Sequence, residues 1–225
     1  MSTSSLTVGT HSITAVYNGD NSYYSSTSPA ITQVVKYSIT IATPVNGTIS
    51  PSGTILVNSG SNASFTMTPS VGYHIDSVFV DGAYVGTTSP YTISNITANH
   101  TVLVKYAINT YTLTVTQGAN GTIAPGTTTV NHGSNQAFTF TPSTGYHIDS
   151  IFADGGYVGA TSPYTFTNVT AAHTLTAKYA INTYTLTVTQ GANGTIAPGT
   201  TTVNYGANQT FTITAATGYN IDSVI

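Results

Sequence analysis

A long internal repeat constrains this chain more than any other feature. One stretch occurs almost three times, and its landmarks Tyr73, Tyr146 and Tyr219 are spaced 73 residues apart. A period of this length indicates tandem small domains rather than stacked single supersecondary units. The predicted domains are residues 37–109, 110–182 and an incomplete 183–225, here called repeats 1, 2 and 3, after a different segment at 1–36.

Two of the copies are nearly the same sequence. Lys105 to Asn131 is identical to Lys178 to Asn204 over 27 residues, which indicates a recent duplication. Elsewhere the copies differ at positions that could carry chemistry, as where His147 is replaced by Asn220. Such changes argue against catalysis performed by every repeat.

Composition narrows the classes of protein further. Charged residues make up 4% of the chain, with three lysines and no arginine, so a basic surface for nucleic acid is excluded. No apolar run approaches the roughly 18 residues of a membrane helix, which predicts no membrane insertion in this segment. The absence of cysteine excludes disulfides and thiolate metal sites.

The residues that remain favour a folded β protein. Sixteen tyrosines accompany abundant threonine, valine and isoleucine, which suit a pleated, half-buried surface. We predict an all-β fold of tandem small β-rich repeat domains, β-grasp or sandwich-like. The neutral, threonine-rich exterior favours an exported, extracellular or cell-surface bacterial protein. No secretory signal opens the sequence and the third copy stops part-way, so we expect a piece of a longer chain.

The first half of the second copy shows strand periodicity. Apolar and threonine residues alternate from Tyr111 to Thr116, which predicts a half-buried strand. The pair Asn120-Gly121 is typical of a tight hairpin turn. A second extended piece is expected from Ile123 to Val130, with Pro125 at an edge or a bulge. Ala137 to Thr141 predicts a third strand with its phenylalanines facing inward.

The second half of that copy carries an irregularity. Ile148 and Ile151 lie three residues apart, so a bulge or a single helical turn is needed to place both in the core. Asp154-Gly155 predicts another tight turn. Strands are expected at 163–169 and at 173–179, the latter with Lys178 facing solvent.

The first 36 residues follow a different pattern. The motifs Gly9-Thr10-His11, Ala15 to Asp20 and Ser26 to Pro29 resemble the last third of a bacterial immunoglobulin-like domain. Alternation and turn residues within this segment predict a strand at 11–17, a turn at 18–20 and a strand near 30–35. Because two strands without an opposing sheet are marginal in water, we expect this segment to be poorly ordered or to dock on repeat 1.

The order of motifs in the repeats also carries a resemblance. The motifs occur in this order: a strand, an Asn-Gly pair, a Gly-Tyr-x-hydrophobic-x-x-hydrophobic motif, an Asp-Gly pair, a Ser-Pro-Tyr-Thr motif and a closing strand. This arrangement resembles the divergent internalin B-repeat modules of bacterial and archaeal surface proteins over residues 37–225. The resemblance implies compact β-rich modules of long exported chains. Where the family usually has tryptophan, this chain has Val78, Ile151 and Val224.

Histidines and aspartates supply few candidates for a metal site. His74 with Asp76, and His147 with Asp149, could begin one, but two ligands without a third are more typical of a surface pair. Asp81, Asp154 and Asp20 could each offer a single carboxylate to calcium, which needs several converging oxygens. We therefore read them as turn residues and predict no catalytic, cofactor or metal site.

The lysines permit one covalent alternative. Lys36, Lys105 and Lys178 sit at comparable strand ends, where some surface adhesins join lysine to asparagine through an isopeptide bond. Such bonds need a buried acid, and the chain has no glutamate. Solvated lysines are the prediction.

The tyrosines are the best candidates for contact with a ligand. Most recur on or beside core-facing positions, where packing explains them. Tyr84, Tyr91, Tyr157 and Tyr164 flank turns, and exposed aromatic rings at such places could stack on sugars.

The sequence leaves two main hypotheses for function. The first is a non-catalytic structural or adhesive repeat, a spacer or stalk of a cell-surface protein. Its expected partners are neighbouring repeats, and its candidate partners outside the chain are glycans or host and matrix proteins. The second is an accessory glycan-binding module of a secreted polysaccharide-active enzyme. An enzyme with no cofactor would need a pocket shared between repeats, which no motif predicts.

Overall fold

The computed structural model describes residues 6–225, and within them every regular element is a β-strand. The chain divides into two compact units, residues 1–109 and 110–225. The predicted all-β fold of tandem repeat domains is confirmed. Residues 1–5, which belong to the predicted immunoglobulin-like segment, lie outside the described residues.

The N-terminal segment forms two short antiparallel strand pairs. The expected single strand at 11–17 is two strands, because β1 (Gly9–Ile13) pairs with β4 (Ile31–Val35) while β2 (Val16–Tyr17) pairs with β3 (Ser26–Thr27). None of residues 6–36 is buried. This segment therefore adds nothing to the buried core of repeat 1.

Repeat 1 is built from two facing sheets. The first has five strands, with the closing strand next to the opening strand and parallel to it. In spatial order they are β10 (Ala83–Gly86), β9 (Tyr73–Val80), β12 (His100–Ile108), β5 (Tyr37–Ile41) and β7 (Gly53–Val57). The second sheet has three strands in the order β11 (Tyr91–Ile93), β8 (Ala63–Pro69) and β6 (Gly47–Ser50).

The core of repeat 1 lies between these sheets. Alternation of buried and exposed residues is regular in β8, where Ala63, Phe65 and Met67 are buried and threonine and serine lie outside. The two sheets thus bury one face each and leave a threonine-rich face to solvent, as in a two-layer β-sandwich.

Repeat 2 has the same architecture. Its five-stranded sheet has the order β15 (Thr128–Asn131), β13 (Thr110–Thr116), β20 (His173–Ile181), β17 (Tyr146–Ala153) and β18 (Gly156–Gly159). Its three-stranded sheet has the order β14 (Gly121–Ala124), β16 (Gln136–Pro142) and β19 (Tyr164–Phe166). Leu113 and Phe138 are fully buried between them, as the alternation predicts.

Two predicted features of repeat 2 are wrong in the same way. The Asn120-Gly121 pair is not a hairpin turn, because β13 pairs with β15 while β14 pairs with β16 in the other sheet. The predicted single piece from Ile123 to Val130 is likewise split at Pro125 into β14 and β15. Alternation cannot reveal such crossings, since a strand leaving for the other sheet keeps the same local pattern.

The irregular segment of repeat 2 is predicted correctly. A bulge between Ile148 and Ser150 in the pairing of β17 with β20 leaves Ile148 half-buried and Ile151 buried. At Asp154-Gly155 both residues have positive φ, 50° and 77°, and form the two-residue turn between β17 and β18. Lys178 is exposed on β20 as expected.

Repeat 3 contains four strands in two antiparallel pairs. β21 (Thr183–Leu186) pairs with β23 (Thr201–Asn204), and β22 (Gly194–Ala197) pairs with β24 (Thr212–Ala215). The described residues after β24 form no further strand. None of the apolar side chains of these pairs is buried, since Leu186, Ile196, Val203 and Ile213 are half-buried and Tyr184 is exposed.

Candidate ligand-binding surface and inter-repeat junction

The paired histidines and aspartates point to different partners. His74 Nδ1 lies 2.8 Å from Asn109 Oδ1, whereas Asp76 accepts a hydrogen bond from the Ser77 hydroxyl. His147 does the same with Asn182, at 2.8 Å. Within residues 6–225, no three potential metal-ligating side chains come together.

Asp81 and Asp154 do more than make turns. The Asp81 carboxylate lies 2.6 Å from His100 Nδ1 and accepts a 2.7 Å hydrogen bond from the Thr101 backbone N–H. These contacts, first that of His100, hold the pKa of Asp81 below its usual range. Each aspartate thereby ties the turn to the start of the closing strand of its repeat, as Asp154 does with His173 and Thr174.

The four candidate tyrosines fall into two groups. Tyr84 and Tyr157 are 62% and 65% exposed on the edge strands β10 and β18. Tyr91 and Tyr164 are half-buried on the three-stranded sheets and pack against the two cores. The exposed and half-buried tyrosines of a repeat therefore belong to different sheets, and no ring contact joins them within the described chain.

The exposed tyrosine of repeat 1 belongs to a row of apolar side chains. Leu103, Phe79 and Tyr84 lie directly opposite one another on β12, β9 and β10, so all three face outward from the five-stranded sheet. The Phe79 and Tyr84 rings meet edge to face with centroids 6.0 Å apart. We call these three residues outer row 1.

A lysine is held against this row. Lys105 Nζ lies 5.2 Å from the centroid of the Phe79 ring, within the range of a cation–π contact. Thr40, Ala42 and Thr101 join Phe79, Leu103 and Lys105 in lining a shallow groove of about 450 Å³ on this face. Ala42, Phe79 and Leu103, here called the apolar floor, are the apolar part of this lining, and Thr40, Thr101 and Lys105 are its polar part.

Repeat 2 has a related row with one change. Thr176, Phe152 and Tyr157 are directly opposed on β20, β17 and β18, and Lys178 Nζ lies 5.3 Å from the Phe152 centroid. We call the first three residues outer row 2. The aromatic pair and the lysine recur, whereas Leu103 is replaced by Thr176.

The second feature with a functional geometry is the junction between repeats 2 and 3. One residue, Asn182, separates β20 from β21. Its backbone N–H donates to Gly145 O at 2.8 Å, and its carbonyl accepts from Tyr205 N at 2.8 Å. His147 Nδ1 lies 2.8 Å from its side-chain oxygen. We call Gly145, His147, Asn182 and Tyr205 the junction clasp.

Tyr205 completes this clasp by packing. Gly145 has φ +83°, and a Cβ there would overlap the Tyr205 ring. A glycine is therefore required at this position by backbone conformation and by the approach of the ring. At the end of repeat 1, Asn109 makes the corresponding bonds to Gly72 O and His74.

Sequence analysis missed the residues that matter most on both surfaces. Outward alternation on two predicted strands was a usable signal for Leu103 and Phe79, but it gave no register between the strands. The short Ala107-Ile108-Asn109 junction and its counterpart before repeat 3 predict limited bending between repeats, but the sequence does not reveal the hydrogen bonds that the asparagines make. Their contacts depend on turns 35 residues away, as the separation of His147 and Asn182 shows.

Comparison with known families agrees with the repeat architecture. The profile of the divergent InlB B-repeat domain matches residues 37–110, 111–183 and 184–223. The chain belongs to the divergent InlB B-repeat family. The family predicted from the motifs is thereby confirmed, and membership indicates a repeat module of a bacterial surface protein. No curated protein sequence matches the chain.

The InlB B-repeat assignment also bears on activity and location. A repeat domain of this kind indicates a non-catalytic module of a cell-surface protein. Residues 6–225 contain no helix that is long and apolar enough to cross a membrane.

Proposed function

We propose that this InlB B-repeat chain is a spacer or stalk segment of an exported cell-surface protein, which holds attached parts away from the cell and performs no catalysis. The observation that carries the proposal is the junction clasp. A spacer must transmit orientation from one domain to the next, and a short linker that is hydrogen-bonded to both domains does so, whereas a flexible linker does not.

The clasp meets this requirement. Asn182 is the single residue between β20 and β21, and its N–H, its carbonyl and its side chain are all engaged. Two of these bonds reach back into repeat 2 and one reaches forward to Tyr205 of repeat 3. Rotation about Asn182 therefore breaks hydrogen bonds as well as the packing of Tyr205 on Gly145.

A distance measurement between labels tests the proposal. The chain has no cysteine, so Thr129→Cys and Thr202→Cys place spin labels uniquely on exposed positions of β15 and β23. We expect a narrow distance distribution for this pair. Adding Asn182→Gly and Tyr205→Ala should broaden it, whereas the control Tyr219→Ala, another exposed tyrosine of repeat 3, should not. A distribution that is already broad without the junction changes would contradict the spacer.

A second candidate function is supported by the exposed aromatic rings. Tyr84 and Tyr157 expose most of their surface at equivalent positions, which favours an accessory glycan-binding module of a secreted polysaccharide-active enzyme. Because Tyr91 and Tyr164 are half-buried, they contribute at most an edge. A glycan array with wild type, Tyr157→Ala and Tyr164→Ala tests this function. Adhesion to host or matrix proteins is a related role of the same exposed surface.

A further inference from the structure

We propose that outer row 1 binds an acidic saccharide, with Phe79 and Leu103 contacting the apolar face of a sugar ring, Tyr84 extending this surface beside Phe79, and Lys105 pairing with the carboxylate of the sugar. This inference rests on the glycan-binding candidate and names its ligand class and location. It adds a binding site to the spacer and does not depend on the junction.

The apolar part of the site is unusual for this protein. The outward face of β12 otherwise carries threonine and lysine, whereas Leu103 is 37% exposed beside Phe79 and Tyr84. Exposed apolar side chains that cluster on a polar surface mark binding sites more often than isolated ones do. The groove of about 450 Å³ falls in the range of about 300–1,000 Å³ that is typical of small-ligand sites.

The charge at the site is available to a ligand. In the part of the chain that the structure describes, the salt bridges within 4.0 Å join only histidine to aspartate, so Lys105 has no carboxylate partner. Asp81, the acid next to the groove residue Gly82, is engaged by His100 and Thr101. The contact with Phe79 fixes the ammonium beside the groove, which reduces the entropy lost when an anion binds.

The chemistry of the lining favours a sugar over a purely apolar ligand. Thr40 and Thr101 add hydroxyl groups to the lining, and the Thr101 hydroxyl, which donates to Asp81 at 3.3 Å, can still accept a hydrogen bond from a ligand. A pyranose has an apolar C–H face and a rim of hydroxyls, and a uronic acid adds one carboxylate. An aromatic ring, an aliphatic side chain, two hydroxyls and one ammonium match those three features. Charge-assisted hydrogen bonds of the ammonium–carboxylate type are the stronger class.

Repeat 2 provides the internal control. It keeps Phe152, Tyr157 and Lys178, but Thr176 and Thr116 stand where repeat 1 has Leu103 and Ala42. The apolar floor is therefore confined to repeat 1. The proposal assigns one site per chain rather than one per repeat.

Titration of the full chain with trigalacturonate and with neutral galactotriose, followed by two-dimensional NMR, tests this assignment. We expect trigalacturonate to shift resonances around outer row 1 and galactotriose to bind at least about tenfold more weakly, since one ion pair worth about 1.4 kcal/mol corresponds to tenfold in affinity. Lys105→Met and Leu103→Thr should each weaken trigalacturonate binding by a similar factor. Lys178→Met should leave it unchanged.

A gain-of-site variant completes the design. Thr116→Ala with Thr176→Leu copies the apolar floor into repeat 2 and should produce a second set of shifts there. All substituted side chains lie outside the two buried cores, so thermal unfolding midpoints should stay near that of wild type.

The outcomes distinguish the acidic saccharide site of repeat 1 from glycan binding in general. Equal binding of the neutral sugar, or equal losses from Lys105→Met and Lys178→Met, overturns the acidic site in repeat 1 and leaves glycan binding standing. Failure of wild type to bind any saccharide overturns both, while the label distances still decide the spacer independently.

Discussion

Repeats 2 and 3 present the same sequence in two different surroundings. Tyr111 to Asn131 is identical to Tyr184 to Asn204, and both copies pair their first and third strands in the same register. The asparagine of the Asn-Gly pair has nearly the same φ in both copies, 67° at Asn120 and 65° at Asn193. Strand pairing over this stretch is therefore specified locally and does not require the rest of the repeat.

The two copies differ in strand length and in burial. β13 continues to Thr116, because Val115 and Thr116 pair with the parallel strand β20, whereas β21 ends at Leu186. Leu113 is 0% exposed, while the equivalent Leu186 is half-buried. The described part of repeat 3 has no counterpart of β20. The second half of a repeat is thus needed to bury the core side chains, whereas the first half alone sets the register of its strand pairs.

The largest expected difference concerns the leucine at the centre of this comparison. Leu113→Ala removes a fully buried side chain and should destabilise repeat 2 by about 2–5 kcal/mol. Leu186→Ala changes a half-buried side chain in an identical strand and should cost about 1 kcal/mol or less. Urea unfolding followed through resonances of each repeat measures both.

A larger loss of stability for Leu113→Ala than for Leu186→Ala would confirm the difference in burial. Equal losses of stability would mean that repeat 3 closes its core in solution and that the contrast in burial is incorrect. The unfolding of repeat 1, whose equivalent residue is Ile39, serves as the unchanged reference within the same chain.

A second test of the comparison uses the glycine after the asparagine. A Cβ at Gly121 would overlap the ring of Tyr179 on β20, whose hydroxyl donates to Thr122 O at 2.9 Å. At Gly194 the nearest atom to a Cβ is Thr214 O at 3.0 Å, with no ring in place. Gly121→Ala should therefore cost about 1–3 kcal/mol through overpacking, and Gly194→Ala clearly less.

The measurement is again unfolding resolved by repeat. A variant that removes the ring, Tyr179→Leu, should relieve most of the penalty of Gly121→Ala, and the double-mutant cycle gives the coupling. If the glycine in repeat 3 proved the more sensitive of the two, the packing account of the Asn-Gly motif would fail.

The same contrast shows what the sequence could predict. Alternation located the strand at 111–116 and the inward phenylalanines, and the three-residue spacing of Ile148 and Ile151 located the bulge. These features are local, so a pattern of period two reveals them. The parallel pairing of β13 with β20 depends on contacts about 60 residues apart, and the pairing of β14 with β16 in a second sheet is also non-local, so local periodicity encodes neither.

The residues of the candidate surface also divide into those that local sequence patterns reveal and those that only the tertiary structure reveals. Tyr84 and Tyr157 were singled out because they flank turns, and the structure places both on exposed edge strands. Leu103 became significant only when its register put it beside Phe79. The junction clasp was unpredictable for the same reason, since Gly145, Asn182 and Tyr205 are brought together by tertiary structure.

The smallest expected effect is a loss of stability of repeat 2 at acid pH, which comes from the contacts of Asp154 with the start of β20. The Thr174 backbone N–H, followed by His173, holds the pKa of Asp154 below its usual range. A depressed pKa stabilises the fold above the pKa of the unfolded state, and this stabilisation is lost as pH falls through the folded value. Because the Asp154 side chain is 51% exposed, we expect at most about 1 kcal/mol, lost between about pH 5 and pH 2.

Asp154→Asn should remove this component of the pH dependence, because the amide still accepts a hydrogen bond from Thr174 but carries no charge. Thermal midpoints of wild type and variant measured from pH 6 to pH 2 should therefore converge at the acid end. Asp81→Asn provides the matched change in repeat 1, where His100 is the principal partner. The strand pairs of repeat 3 contain no aspartate, so their amide exchange should show no corresponding change. Curves for wild type and Asp154→Asn that remain parallel through this range would show that the aspartate acts only as a turn residue, and that packing alone secures β20 in repeat 2.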